Sequence, residues 1–287
     1  MAVESVTRER IEAGLDDLVR ENRFTIAVVF PAMGAILLVA SAEQLMPAPL
    51  NFNPYLIFFG TLVMRLPLVA GVAPLTDRRA ALALVALTLY SYGVEFLGVT
   101  TGWPYGAFEY GVDLGPMLLG EVPLGLPIFF FPLVLNSYLL CLLLLGDRAA
   151  NWYVRLPVVI GTVIAVDLVL DPGAVALGFW TYDAGGAYYG VPWSNYVPGW
   201  ALSATVAAVL FDLAFDWNAV VARVRSCAFM LDDLVSFVIL WGAINAYFAN
   251  WAPVAVAGLF FAGLVKIDRF DFDVVRTVPL LGDRLER

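Results

Sequence analysis

The sequence predicts an all-α integral membrane protein, a polytopic bundle of about eight transmembrane helices with both termini in the cytoplasm. Three observations predict this fold class. Of the 287 residues, 61% are hydrophobic and 14% are charged, whereas a soluble domain has about 25% charged residues. Hydrophobic runs of about 20 residues, the length that crosses a bilayer core, recur along the chain. The cationic residues, finally, are confined almost entirely to alternate connecting segments.

The hydrophobic runs divide the chain into one membrane domain and two short polar ends. Residues 1–23 are predicted to form a charged amphipathic N-terminal segment, residues 24–266 the transmembrane domain, and residues 267–287 a cytoplasmic tail. The short connection at 250–253 predicts that the last two helices form an antiparallel hairpin. The eight predicted spans are 24–42, 53–74, 80–100, 123–146, 153–171, 199–217, 228–249 and 251–266.

The positions of the cationic residues orient these spans. Fifteen of the sixteen lie in segments that alternate along the chain and therefore share one side of the membrane: Arg8, Arg10, Arg20, Arg23, Arg78, Arg79, Arg148, Arg155, Arg223, Arg225, Lys266, Arg269, Arg276, Arg284 and Arg287. The positive-inside rule places this side in the cytoplasm. The outer side then receives segments 43–52, 101–122 and 172–198, which carry no Lys or Arg. We therefore expect a multi-pass protein of the cell membrane.

The overall composition narrows the classes of function. The net charge is −9 and no basic patch is visible, so nucleic-acid binding is not expected. The chain has no histidine and only two cysteines, which removes the usual ligand sets for zinc, haem and non-haem iron. We therefore expect no metal site. The acidic balance is typical of proteins that stay soluble in strong salt.

Three carboxyl groups near the outer side are candidates for chemistry. Glu95 lies near the outer end of its span, and Asp167 and Asp171 are four residues apart and share one helix face. Ionisable groups inside a membrane are costly and usually functional. No outer cation is available to neutralise these three, which favours a general acid and base. The alternatives are that Asp171 before Pro172 merely ends a helix and that Asp167 pairs with a donor.

A second set of polar residues lies deeper in the predicted bundle. At about 1.5 Å per helical residue, Arg65, Asn136 and Asp212 reach similar depths. A buried arginine requires a carboxylate, so Arg65 and Asp212 are predicted to form a structural ion pair between helices. Asp232 and Asp233 are expected near the cytoplasmic face.

Two outer segments contain dense aromatic motifs. They read Thr-Gly-Trp-Pro-Tyr-Gly-Ala-Phe-Glu-Tyr at 101–110 and Gly-Ala-Tyr-Tyr-Gly-Val-Pro-Trp-Ser-Asn-Tyr at 186–196, with Trp-Thr-Tyr at 180–182. Together with Glu95, the Val-Pro-Leu-Gly-Leu-Pro run at 122–127 and the Asp167, Asp171 pair, they resemble the membrane carotenoid-biosynthesis family, which includes the carotenoid 1,2-hydratases. The resemblance covers roughly residues 80–205. The acidic composition fits the halophilic archaeal branch, which acts on bacterioruberin-type carotenoids.

This resemblance implies an enzyme that adds water to the terminal trisubstituted double bonds of a long acyclic carotenoid without a cofactor. Its partners would be membrane lipid, the carotenoid and water, and the oligomeric state stays open. Such a reaction needs an acid that protonates the alkene and a base that activates water. Glu95 and Asp171 are the predicted acid–base pair, supported by Asp167. The predicted substrate-binding residues are Trp103, Tyr105, Glu109, Trp180, Tyr182, Tyr189, Trp193 and Asn195.

Two other functions compete with this prediction. A membrane prenyltransferase would bind a magnesium diphosphate through two Asp pairs, and the chain has such pairs at 167/171 and 212/216. The predicted topology places them on opposite sides of the membrane, which argues against a shared cluster. The second alternative is a non-catalytic carotenoid-binding protein. A retinal protein is disfavoured, because Lys266 lies at a helix end.

Overall fold

A computed structural model of the chain describes residues 2–269, with no side-chain placement for residues 2–6. The predicted tail at 267–287 therefore lies outside the described residues beyond Arg269. The described chain is helical apart from short outer strands. Its helices are α1 (Ala2–Glu21), α2 (Phe30–Ala42), α3 (Pro54–Val72), α4 (Arg78–Thr101), α5 (Leu126–Leu145), α6 (Trp152–Leu177), α7 (Ala201–Ala214), α8 (Trp217–Ser226), α9 (Asp232–Tyr247) and α10 (Trp251–Lys266).

Among residues 2–269, six helical segments are long and apolar enough to cross a membrane. They are Thr25–Ala42, Pro54–Leu75, Arg78–Thr101, Leu126–Ala150, Trp152–Leu177 and Asn195–Ala214. The first and last begin with a π-helical turn, and the second and fourth end in a 3₁₀ turn. The last two predicted spans correspond to α9 and α10, which have 16 residues each and a length of about 24 Å. The protein is thus an all-α membrane protein with six full-length candidate spans.

The centre of the bundle is formed by α5 and α9. Eleven of the 16 residues of α9 are buried, because this helix packs against α2, α3, α5, α6 and α10. Most of α5 beyond Phe130 is buried as well. The amphipathic helices α1 and α8 cover the end of the bundle that was predicted to be cytoplasmic, and there Arg223 of α8 donates to Asp16 of α1 at 2.9 Å.

The ion pairs inside the bundle differ from the predicted one. Arg65 pairs with Asp233 and not with Asp212, so the predicted pair is wrong. Asn136 of α5 also donates to the Asp233 carboxylate, at 2.6 Å, and the neighbouring Asp232 pairs with Arg23 at 2.5 Å. Asp232 and Asp233 are 2% and 0% exposed, so both are held by protein partners rather than by water.

The start of α9 explains this difference. The predicted span began at 228, but the helix begins at Asp232, and the preceding residues Phe229, Met230 and Leu231 are buried in the bundle. Met230 approaches the backbone of Gly71 so closely that a Cβ there would lie 2.5 Å from it. The acidic start of α9 consequently lies inside the protein, within reach of Arg23 and Arg65.

Asp212 has its own partners near the cytoplasmic end. Arg155 forms an ion pair with it, and Tyr138 donates to it at 2.5 Å. The Arg155 guanidinium also lies over the ring of Trp217, 4.7 Å from its centroid. Asp212 therefore forms a structural ion pair between helices, as predicted, but its partner is Arg155 and not Arg65.

Two short antiparallel ribbons cover the outer side. In the first, β1 (Phe108–Tyr110) pairs with β4 (Trp180–Tyr182) in the register Phe108 with Tyr182 and Tyr110 with Trp180. In the second, β2 (Met117–Leu118) pairs with β3 (Val122–Pro123). The first ribbon joins the two outer segments that carry the aromatic motifs and holds them over the ends of the helices.

Candidate active site

A cavity of about 130 Å³ lies beneath the β1–β4 ribbon, between α3, α4, α5, α6 and α9. Its wall is mostly aromatic and aliphatic, with a few polar groups that converge on it. The lining residues are Ile57, Glu95, Tyr105, Phe108, Tyr110, Leu114, Pro123, Leu126, Phe129, Phe130, Leu133, Leu170, Asp171, Phe179, Trp180, Tyr182, Asn195, Trp200 and Trp241. A mostly apolar cavity with a small number of placed polar groups is the usual form of a small-molecule site.

Helix α6 brings Asp167 and Asp171 to this site because it continues through Pro172 to Leu177. The end predicted at 171 is therefore wrong. Proline has no backbone N–H, so a helix that contains it leaves the carbonyl four residues earlier without its usual donor. Tyr188 supplies that donor, since its hydroxyl donates to the Leu168 carbonyl at 3.2 Å. The two aspartates consequently stay one turn apart on one face.

The two aspartates share one amide donor. Asn195 Nδ2 donates to Asp167 Oδ2 at 2.6 Å and to Asp171 Oδ2 at 2.7 Å. The Tyr182 hydroxyl donates to the same Asp171 oxygen at 2.7 Å. Both hydrogen bonds to Asp171 fall on Oδ2, which leaves Oδ1 for a ligand in the cavity. Asp167 is fully buried behind Asp171, and its Oδ1 has no hydrogen-bond partner among residues 2–269.

Glu95 faces the same cavity from α4. The Tyr110 hydroxyl donates to its Oε1. Burial, followed by the charge of Glu95, raises the pKa of the Tyr110 phenol. Burial and the charges of Asp171, Asp167 and Glu95 raise the pKa of Tyr182 well above its usual value. Both phenols therefore stay protonated and act as hydrogen-bond donors to the carboxyl groups.

The ribbon explains which outer residues reach the cavity. Side chains alternate between the two faces of a strand. Phe108 and Tyr110 of β1 and Trp180 and Tyr182 of β4 all line the cavity, whereas Glu109 between them is exposed on the opposite face. Glu109, which was predicted to bind the substrate, therefore lies outside the cavity wall, and its two neighbours line the cavity.

Three of the predicted aromatic residues lie away from the cavity. Trp103 and Trp193 are 53% and 60% exposed, and Trp193 packs on the rings of Tyr188 and Tyr196. The Tyr189 hydroxyl accepts a hydrogen bond from the backbone N–H of Ala252 at 3.2 Å. The structure thus keeps Tyr105, Trp180, Tyr182 and Asn195 of the predicted set in the cavity wall.

Several aromatic residues of the wall were not predicted from the sequence. Trp200 stacks on Phe130 with their ring centroids 5.4 Å apart, and Trp241 packs edge-on against Phe179. Phe108 and Tyr110 flank Glu109, so the alternation of a strand would have indicated them. Trp241 lies on a helix with no aromatic motif, and no signal in the sequence points to it.

One polar atom of the wall is unpaired. Trp180 Nε1 is buried and has no hydrogen-bond partner within the part of the chain that the structure describes. An indole N–H is a donor only, and a buried donor without a partner costs about 1–3 kcal/mol. Because Trp180 lines the cavity, a ligand oxygen in the cavity is the natural acceptor.

Comparisons with known proteins place the chain in a family. Bisanhydrobacterioruberin hydratase of Haloarcula japonica is 65% identical to it over 271 residues, which cover 94% of this chain and 92% of that protein. No solved structure shows significant similarity. The sequence pattern of the family described as carotenoid biosynthesis proteins matches residues 52–264, which contain the whole cavity wall. The chain therefore belongs to the family of carotenoid biosynthesis proteins.

Proposed function

We propose that this membrane protein is a carotenoid hydratase, which adds water to the terminal trisubstituted double bonds of an acyclic carotenoid of the bisanhydrobacterioruberin type. The cavity beneath the β1–β4 ribbon is its active site. The relative from Haloarcula japonica supports the reaction, and one feature of the structure supports the site. That feature is the kind of partner that each buried carboxyl group has.

Buried carboxyl groups in the two halves of the bundle have different partners. In the cytoplasmic half, Asp212, Asp232 and Asp233 each pair with an arginine. In the outer half, the side-chain donors that reach Glu95, Asp167 and Asp171 are uncharged in the described residues: Tyr110, Asn195, Tyr182 and Trp200. An arginine keeps a carboxylate ionised, whereas neighbouring carboxyl groups without a cation readily share protons. Only the outer group is suited to acid–base chemistry.

Glu95 is the proposed proton donor. Hydrogen bonds from donors favour the ionised form of a carboxyl group. Asp171 accepts two such bonds, from Tyr182 and Asn195, whereas Glu95 accepts one, from Tyr110. The carboxyl group with fewer donors keeps its proton more readily. Glu95 then transfers it to the less substituted alkene carbon, and a tertiary carbocation forms at the carbon that bears two methyl groups.

Asp171 is the proposed base for the attacking water. Its Oδ1 accepts one proton of the water while the water oxygen bonds to the carbocation, which gives a tertiary alcohol. Trp180 Nε1 donates to the same oxygen and positions it. The proton taken up by Asp171 returns to Glu95 across the cavity, so the net reaction adds one water. Asp167 supports Asp171 through the shared Asn195 amide.

The aromatic wall stabilises the carbocation. A cation over an aromatic face is attracted by the ring, with tryptophan the strongest partner. Trp180, Trp200 and Trp241 all line the cavity. Their rings also exclude bulk water, so the carbocation meets the positioned water molecule and no other nucleophile. No step of this reaction requires a metal or a cofactor.

The proposed site also fits a protein of the cell membrane with eight crossings and both termini in the cytoplasm. In that arrangement α9 crosses in the centre of the bundle, and α10 crosses beside it as the second helix of a short hairpin. The cavity then lies below the outer surface, where water arrives from outside and the carotenoid from the lipid. The described outer segments carry no Lys or Arg, as the positive-inside rule requires.

The function is tested by expressing the chain in cells that make an acyclic carotenoid and measuring pigment mass. Hydration adds the mass of one water for each end group. Unchanged pigment that co-purifies with the protein would instead indicate a carotenoid-binding protein.

A gain of five carbons would indicate prenyl transfer, but the partners of the second Asp pair, Asp212 and Asp216, do not favour that reaction. Asp212 is held by Arg155, and Asp216 caps α8 by accepting from the Ala219 N–H at 2.7 Å.

A further inference from the structure

The active-site cavity is far smaller than a carotenoid. A cavity of about 150 Å³ holds a molecule of the size of benzene, so the 130 Å³ found here accommodates one branched end group. The remainder of the substrate must lie elsewhere on the protein. We propose that an apolar groove between α3, α4 and α5 binds the polyene chain while its end group is in the cavity. This inference rests on the proposed function and extends it to a second subsite.

The groove has the size and the exposure that a long hydrocarbon requires. Its volume is about 910 Å³, about six times that of a benzene-sized cavity. Leu62 and Val69 of α3 and Val85 of α4 line it and are 39%, 51% and 57% exposed. Leu135 of α5 forms part of its buried floor. A groove with this exposure is open along the outside of the bundle, where a carotenoid enters from lipid.

The groove lies next to the cavity and is lined by the same three helices. On α3 the cavity is lined by Ile57 and the groove begins at Leu62, which lies about 7.5 Å further toward the cytoplasm. On α4 the groove ends at Thr88, about 10 Å below Glu95. On α5 the two lie at the same level but on opposite faces of the helix, because residues 126, 129, 130 and 133 line the cavity and residues 127, 128, 131 and 132 line the groove. A polyene held at both places therefore passes beside the start of α5.

The chemistry of the groove fits an uncharged hydrocarbon. Its polar side chains in the middle already have partners within the protein: Arg65 binds Asp233 and the Ile128 carbonyl, and Thr88 donates to the Leu84 carbonyl at 2.9 Å. At the cytoplasmic end Arg8 donates to the Thr76 carbonyl and pairs with Glu12. Apart from Thr7 and Thr76 near that end, the remaining wall is apolar, and it runs inward from an end group held near the outer side. An extended polyene that spans the bilayer would lie along this groove, with its end group near the outer side.

Two substitutions that fill the groove test the proposal. Val85→Trp and Val69→Trp place an indole in it from opposite walls. Leu89→Trp is the matched control, since Leu89 is also an exposed residue of α4, 67% exposed, but lies outside the groove lining. Each variant is assayed with a long acyclic carotenoid and with a short acyclic isoprenoid that has the same end group.

The two substrates separate the possible results. We expect both groove variants to lower kcat/KM for the long substrate by about tenfold or more, because remote binding energy is lost. Their rates with the short substrate, and both rates of Leu89→Trp, should stay close to wild type. Equal losses of kcat/KM on both substrates would contradict the subsite. No loss on either substrate would also contradict it and would identify the groove as a surface that contacts lipid. Failure of the unmodified protein to hydrate either substrate would instead refute the proposed function.

Discussion

Replacing Glu95 by Gln removes the proposed proton donor and changes little else in the site. Gln has nearly the same size, and its Oε1 still accepts the hydrogen bond from Tyr110. General acid catalysis contributes about 10²–10⁴ to a rate, so we expect kcat to fall by about a thousandfold, which corresponds to about 4 kcal/mol. Tyr110→Phe removes only the hydrogen bond to the acid. Its effect should be smaller, about tenfold.

The assay compares these variants with a matched substitution on the same ribbon. Glu109→Gln makes the same chemical change at an exposed carboxyl group next to Tyr110, but on the face away from the cavity. Hydrated product is measured by mass against time, and each rate is divided by the amount of protein in the membrane. The rate for Glu109→Gln should remain within a factor of about two of wild type.

The result that would refute this reasoning is a Glu95→Gln variant that keeps more than about a tenth of the wild-type rate. In that case Glu95 is not the donor. Asp171→Asn provides the second half of the test. If it alone abolishes hydration while Glu95→Gln does not, Asp171 donates the proton, and the argument from the number of hydrogen bonds is wrong.

Two further predictions concern positioning and stability. Trp180→Phe keeps an aromatic ring but removes the unpaired donor, so the rate should fall about tenfold. Trp241→Phe makes the same change elsewhere in the cavity wall and should have a smaller effect, and equal losses would contradict the role of Trp180. Asp233→Asn leaves Arg65 as a buried charge without its counter-ion, which should cost about 3–5 kcal/mol of stability, measured by thermal unfolding in detergent. Asp147→Asn disrupts an exposed pair with Arg225 and should cost about 1 kcal/mol or less.

The sequence was sufficient for the features that depend on composition and on helix periodicity. Six of the predicted spans appear as long apolar helices. Asp167 and Asp171 lie on one face, because a spacing of four residues determines that in any helix. Glu95 and Asp171 were both predicted near the outer ends of their helices, and they line one cavity.

Other features depend on contacts that no local pattern encodes. Whether Arg65 meets Asp212 or Asp233 depends on which helices are neighbours and on where α9 begins, and the burial of Met230 against Gly71 determines that start. The position of Glu109 depends on the pairing of two strands of three residues each, 70 residues apart in the chain. Such short strands have little periodicity of their own. The aromatic motif therefore indicated the segment that lines the cavity, but the predicted residue Glu109 lies on the opposite face of the strand.

The distribution of buried charge connects these observations. A membrane protein that must bury carboxyl groups can pair them with arginine, as Arg65 pairs with Asp233. Such a pair stabilises one arrangement of helices, but it keeps the carboxylate ionised, so the group cannot act as an acid. No Lys or Arg lines the cavity in the described residues, and its carboxyl groups are held by uncharged donors such as Asn195 and Tyr182. The absence of cations from the cavity wall leaves these groups able to exchange protons. A hydratase that protonates an isolated alkene needs that property, and a cation introduced beside Asp171 would remove it.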